Sequence, residues 1–343
     1  MKYAWVGCDP GFKVVDSYIE PRHLNPTIRD FRSIPFVLGG MFCDKRSFVN
    51  LPDFQTYDII SVAFTTQNGL YEAIDLINNI KHLDQKVMLP LFSENGNGFV
   101  TSLIADDQPK FEDLFIDILE SCGIYVSYTH YVSDWIYAHG YSADIYNMYY
   151  PIFPEFISRF CGEYRNRRDI FVTYCDDGLT HPLLDGRANG DFADYVANKY
   201  KLTCTIHAAG PLNRSSRREN ERTAVVNGFK DRFDFLRMLG NHKVLLHRSF
   251  HHNAPGQVIG ECTSLGVVPV GGNSDFYKLL YPDLPTGMEA DVLEECVYKV
   301  LTDDEYRNFL LAKAKSTMSF ICSREYTINA YNTIYNKYRR AVI

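Results

Sequence analysis

The run Tyr57-Asp58-Ile59-Ile60-Ser61-Val62-Ala63-Phe64 is nearly all apolar, too short for a membrane and too continuous for a strand with one wet face. It is followed by a segment in which Leu70, Ile74, Ile77 and Ile80 recur at helical spacing. A second buried run, Lys86 to Phe92, comes next. A helix over about Phe111 to Ser121 then stops at Gly123, ahead of a strand at Ile124-Tyr125-Val126. Strand, helix, strand in this order predicts a parallel sheet covered on both faces, the doubly wound α/β class. Tyr3 to Val6 adds a short first strand, broken by the Asp9-Pro10-Gly11 turn.

The same alternation restarts after Tyr150-Pro151-Ile152-Phe153-Pro154. Strands are expected at Asp169 to Tyr174, Leu202 to Ile206, Ala224 to Val226, Lys243 to His247 and Val267 to Val270. Helices are expected near 190–199, 231–239, 256–265, 289–301 and 303–316, with a tyrosine-rich one from Tyr326 to Tyr338. A chain of 343 residues exceeds what one core usually carries. The reading is two α/β domains, 1–150 and 151–325, facing each other across a cleft. The helix in 326–343 is expected to pack back on the first.

Charge and cysteine content narrow the setting. The chain carries 35 basic and 42 acidic residues, so it is no polycation made to coat nucleic acid. Residues 1–150 hold 10 Lys and Arg against 19 Asp and Glu, whereas the remainder holds 25 against 23. Nine cysteines without a C-x-x-C pair read as reduced thiols, which with the lack of a signal-like start places the chain in the cytoplasm. No apolar run approaches the ~20 residues of a membrane span, so no membrane partner is expected.

Chemistry concentrates in His251-His252-Asn253-Ala254-Pro255-Gly256-Gln257-Val258-Ile259-Gly260-Glu261, followed by Leu265-Gly266-Val267-Val268-Pro269-Val270. A strand ends in a loop, and Pro255-Gly256 opens a helix whose free N–H groups and positive dipole end suit a diphosphate. Glu261, one to two turns on, can accept two hydrogen bonds from a vicinal diol such as a ribose edge. Gly266 lets the helix turn tightly into the next strand. A solvated surface carboxylate is the competing reading of Glu261.

This segment resembles the C-terminal half of GT-B glycosyltransferases, in which a Gly-started helix carries a ribose-binding Glu and a small-residue turn into a Pro-Val strand. The resemblance implies two Rossmann-like domains and a nucleotide-sugar donor, UDP-linked. It implies Glu261 on the ribose, the backbone near Phe229 in Ala224-Val225-Val226-Asn227-Gly228-Phe229 on the base, and Arg187 with Arg248 on the diphosphate beside Pro255 and Gly256. One departure stands out: retaining members carry a second Glu eight positions earlier, where this chain has Asn253.

In the first domain, Lys86-Val87-Met88-Leu89-Pro90-Leu91-Phe92-Ser93-Glu94 resembles the T-even phage DNA glucosyltransferases, in which the strand leads to a catalytic carboxylate. Glu94 is then the candidate general base, with Asp9 in reserve; each is equally readable as part of a polar turn. This likeness makes 5-hydroxymethylcytosine in double-stranded phage DNA the favoured acceptor, flipped out of its stack. Such a modification would protect the DNA against host nucleases. Arg214, Arg217, Arg218 and Arg222, with Arg29, Arg32, Lys45 and Arg46, are candidates for its phosphates, or simply solvated charges. The tyrosines from Tyr125 to Tyr150 offer either base-stacking surfaces or hinge packing.

Three other readings stay open: a glycan or lipopolysaccharide acceptor, which suits the acidic first domain; a UDP-sugar epimerase; and a UDP-sugar-binding protein without catalysis. No Walker loop, dinucleotide fingerprint or D-x-D is present, and adjacent His251 and His252 make a poor metal pair. No obligatory cofactor is expected, although the diphosphate is compatible with a loosely held Mg2+ or Mn2+.

Overall fold

The computed structural model describes residues 1–8, 18–19, 33–64, 67–80, 87–92, 108–128, 130–172, 186–207, 220–226, 229, 231–247, 257–287 and 290–339. The chain divides into two compact units, one of Met1–Ile152 with Phe320–Ile343 and one of Phe153–Ser319.

The first unit begins with β1 (Tyr3–Gly7), β2 (Tyr18–Ile19), α1 (Ser33–Leu38), β3 (Met41–Asp44) and α2 (Lys45–Val49). It continues with β4 (Ile59–Phe64), α3 (Gln67–Ile80), β5 (Val87–Phe92), α4 (Gln108–Cys122), β6 (Ile124–Ser127), α5 (His130–Ala138) and β7 (Asp144–Asn147). The main sheet runs β2-β3-β1-β4-β5, parallel except for β2 at the edge. The expected Ile124–Val126 strand pairs with β7 rather than with this sheet.

Side-chain alternation explains the continuous apolar runs. Ala4, Val6, Ile60, Val62 and Phe64 enter one core with Leu70 and Ile77 of α3 and Phe111 and Phe115 of α4. Their neighbours Tyr3, Trp5, Ile59 and Ala63 enter the opposite core with Ile34 of α1. That second core also receives Tyr331 and Ile334 from the last helix of the chain, Arg324–Arg339. Tyr3 Oη donates to Ser61 Oγ at 2.8 Å, and the Tyr128 and Tyr331 hydroxyls meet at 3.2 Å. The rings of Tyr128 and Tyr150 stack at 4.2 Å. Tyr125, Tyr128 and Tyr150 are thus core residues of this unit, with no ring face free for stacking on a base.

The second unit contains α6 (Pro154–Ile157), β8 (Arg168–Val172), α7 (Gly186–Tyr200), β9 (Cys204–His207), β10 (Thr223–Val226), α8 (Arg232–Gly240) and β11 (His242–Leu246). After these come α9 (Gln257–Leu265), β12 (Val268–Val270), α10 (Asp275–Leu280), α11 (Ala290–Thr302) and α12 (Asp304–Ile321); the helix at Arg324–Arg339 is α13. Its sheet is wholly parallel, in the order β10-β9-β8-β11-β12. The chain starts in the middle, winds outward one way, then crosses to wind the other. Helix α8 packs on α9, and α7 on α11.

At the amino ends of these strands Arg167 acts as a clasp. Its Nε donates to Gly162 O at 3.0 Å and its Nη1 to Gly266 O at 3.2 Å. Gly266 itself has φ +69°, the left-handed conformation that ends α9 without a side-chain penalty. The described cysteines are all free. No helix among the described residues is long and apolar enough to cross a membrane.

Candidate functional site

In an open parallel sheet of this order, ligands bind outside the carboxyl ends of the strands where the winding reverses, here between β8 and β11. His207, Val172, Leu246 and Val270 end the four strands nearest that point, and Val226 ends the outer strand β10. His247 follows β11 directly, and its N–H donates to Val270 O at 2.9 Å, extending the ladder to β12 by one bond. Arg248, Pro255 and Gly256 lie in the segment after His247, outside the described residues. So does Asn253. Arg187 is the second residue of α7, with its side chain outside the described set.

Phe229 stands between β10 and α8, half-buried, with its ring 4.2 Å from that of His207 and 5.3 Å from that of Phe235. Phe171 of β8 approaches the same ring at 6.5 Å. The result is an aromatic floor beneath the carboxyl edge. Burial lowers the His207 pKa to about 4, so the imidazole is neutral at pH 7. Burial holds His247 down to about 4 as well. His207 did not enter the sequence reading as a site residue; a polar side chain closing a strand of otherwise buried residues was the available signal.

Glu261 sits on α9 four residues past its first described residue, about 6 Å along the axis. Ile259, Gly260, Cys262 and Leu265 around it are buried, and Glu261 itself is 2% exposed. A solvated surface carboxylate is therefore excluded. A buried carboxylate needs a charge partner or strong donors, and the guanidinium of Arg232 supplies one through Nη2 to Oε1. Arg232 is the first residue of α8, set there by Asp231, whose carboxylate caps the helix by accepting from Asp234 N at 2.9 Å. Both helices begin at the carboxyl edge of the sheet, which brings Arg232 and Glu261 together across a sequence separation of 29. No spacing rule connects two residues so placed, and Arg232 went unread.

The remaining sequence candidates divide similarly. Glu94, Asp9, Arg29, Arg32, Arg214, Arg217 and Arg218 lie outside the described residues. Arg222 is half-buried in the turn before β10; its N–H donates to Asn220 Oδ1 and its carbonyl accepts from Cys204 N, both at 2.9 Å. Lys45 is tied to Glu72 at 2.5 Å and Asp75 at 2.6 Å, so two carboxylates already neutralise it. Arg46 is exposed. Among the described residues no group of three His, Cys, Asp or Glu side chains is placed to hold a metal ion.

No protein-family model matches the sequence, and no curated protein matches it either. Solved structures do. The chain is similar to sucrose-phosphate synthase (tll1590) from Thermosynechococcus elongatus, with 12% identity and a TM-score of 0.58 over 99% of this chain and 89% of that one. It is similar to an E. coli protein solved as trehalose-6-phosphate bound with UDP-2-fluoro glucose, with 9% identity and a TM-score of 0.63 over 98% and 99%. It is also similar to Anabaena Alr3699/HepE in complex with UDP-glucose, with 12% identity and a TM-score of 0.60 over 98% and 99%. The chain has the GT-B fold. With that fold, the unit carrying Glu261 is its second Rossmann-like domain, and the edge holding Phe229, His207 and the Arg232–Glu261 pair is the strand-end edge of that domain.

Proposed function

We propose that this GT-B protein is a glycosyltransferase that moves a sugar from a UDP-linked donor to an acceptor hydroxyl. The observation that carries the reading is Glu261, an almost sealed carboxylate one turn inside a helix that starts at the strand-end edge. A vicinal diol entering there would replace lost water as the donor to that carboxylate. Phe229 would lie under the uracil ring, with the backbone around it on the base edge. Free N–H groups at the α9 start, next to Pro255 and Gly256, would receive the diphosphate together with Arg187 and Arg248. UDP-glucose and UDP-2-fluoro glucose in two similar structures support the donor class.

Glu94 is assigned as general base, with Asp9 in reserve. The base removes the acceptor proton as its oxygen bonds to the anomeric carbon, and the bond from that carbon to the diphosphate breaks, releasing UDP. The proposed acceptor is the hydroxymethyl group of 5-hydroxymethylcytosine in DNA, resting on the resemblance of Lys86 to Glu94, with Arg214, Arg217, Arg218 and Arg222 toward phosphates. A glycan hydroxyl is the second reading, favoured by the 19 acidic against 10 basic residues in 1–150.

The test follows UDP release from UDP-sugars with hydroxymethylated DNA, with glycans, and with neither. Release that requires one acceptor and adds a sugar's mass to it supports transfer. Conversion of the donor without any acceptor points to an epimerase, and binding without turnover to a carrier. Glu94→Gln is expected to lower transfer about 10²–10⁴-fold with UDP affinity kept, and Glu261→Ala to weaken UDP binding about 10- to 100-fold. Full transfer by the first variant removes Glu94 from the mechanism.

A further inference from the structure

Arg232 occupies a position that helix electrostatics disfavours. It is the first residue of α8, where the macrodipole is positive and an anion is the favoured charge. Asp231, its neighbour, is already engaged as the helix cap. What holds the guanidinium there is Glu261, whose side chain is 3% exposed against 21% for Arg232. Only Nη2 is spent on that carboxylate. The Nε of Arg232 is buried and has no hydrogen-bond partner among the described residues. A buried donor without an acceptor is destabilising, so its retention beside a buried carboxylate calls for a ligand atom that accepts.

We propose that Arg232 is a positioning residue of the nucleotide subsite that makes it selective for ribose over deoxyribose. This rests on the reading of Glu261 as the ribose carboxylate. A hydroxyl both donates and accepts. One seated against the pair donates to the Glu261 carboxylate and accepts from Arg232 Nε, which completes the guanidinium and fixes the angle of the carboxylate. A carbon-bound hydrogen in the same place can do neither and leaves the buried Arg232 Nε without an acceptor. Recognition of this kind rejects the analogue lacking the hydroxyl more strongly than apolar packing can. A planar guanidinium can serve Glu261 and the sugar at once, whereas an ammonium offers a single charge point.

The experiment measures binding of UDP, 2′-deoxy-UDP and 3′-deoxy-UDP to the full chain and to Arg232→Gln and Arg232→Lys, each checked for native circular dichroism. The wild-type chain is expected to prefer UDP over at least one deoxy analogue by about tenfold or more. In Arg232→Gln that ratio is expected to fall to about threefold or less, chiefly by loss of UDP affinity, with Arg232→Lys between. A structural role alone would weaken all three ligands alike and leave the ratio intact. If Arg232→Gln does not fold, Arg232→Lys carries the same comparison. An unchanged ratio in a folded Arg232 variant overturns the proposal while the ribose reading stands. A wild-type chain that binds UDP and both deoxy analogues equally overturns the ribose reading itself.

Discussion

The two units share a doubly wound architecture but bury different chemistry. In the first, the buried polar side chains among the described residues are hydroxyls: Ser33, Ser61, Ser127, Ser133 and Thr327, with the tyrosine cluster of Tyr3, Tyr128 and Tyr331. In the second they include Arg167, Arg307, Glu261, Glu294, His207 and His242. Among its described residues, then, the first unit closes its sheet without a buried charge. Charges in the second unit need reasons of their own, because desolvating an ion is costly. Arg167 and Arg307 have one: the first clasps carbonyls ahead of β8, and the second bonds Asp304 at 2.6 Å and lies 4.1 Å from the Tyr164 ring centroid. Glu294 is held by Lys199 and by Tyr200 Oη at 2.6 Å. Glu261 and Arg232 are placed differently, at the strand-end edge where ligands bind.

Three measurements sharpen this contrast. The largest effect is expected from Tyr331→Ala, which removes a fully buried ring packed edge-on to Tyr3 at 5.2 Å and its contact with the Tyr128 hydroxyl. A loss of about 3–5 kcal/mol in urea unfolding is expected; a loss below about 1 kcal/mol would deny the tyrosine cluster its place in the first core.

Acid comes next, and it should strike the second unit. His242 is fully buried, with ring nitrogens 2.7 Å from Met238 O and 2.8 Å from Thr205 Oγ1, and burial lowers its pKa to about 4. The unfolded chain, with an ordinary histidine pKa near 6.5, takes up protons first as pH falls. Stability is thus complete above about pH 6.5 and drains away toward pH 4, by about 3 kcal/mol for this one group. Unfolding midpoints across that range should fall for the wild-type chain and fall less steeply for His242→Asn; parallel slopes would exonerate His242. Smallest and equal in both units should be the loss of helix caps. Asp44, which accepts from Ser47 N at 2.8 Å, and Asp231 are each expected to cost about 1 kcal/mol on replacement by alanine. A cost at Asp231 well beyond that at Asp44 would mean that capping also sets the Arg232–Glu261 pair.

The contrast also marks what was legible in the sequence. Continuous apolar runs such as Ile59 to Phe64 announce β4 because both faces are covered. Strand β3 escaped notice because Met41–Asp44 is only four residues long and follows two glycines. Strand β7 did so because Asp144-Ile145-Tyr146-Asn147 is exposed at both ends and reads as a loop. Glu261 was legible from its place after Pro255-Gly256 and before Gly266, since those residues punctuate a helix. That it is buried was not, because burial depends on what α8 and the sheet bring over it. Arg232 is the clearest case: its partner is fixed by the winding of the sheet, and local pattern carries no trace of winding.

Helix α13 carries a further consequence. Tyr331 and Ile334 are part of the core that begins with Tyr3 and Trp5. During synthesis Tyr3 and Trp5 must wait, with one apolar face uncovered, until the residues of α13 have left the ribosome. The second unit, lying between, has all its strands and covering helices available earlier. A premature stop shortly before residue 331 would therefore injure the unit made first, and the Glu261 edge could outlive it.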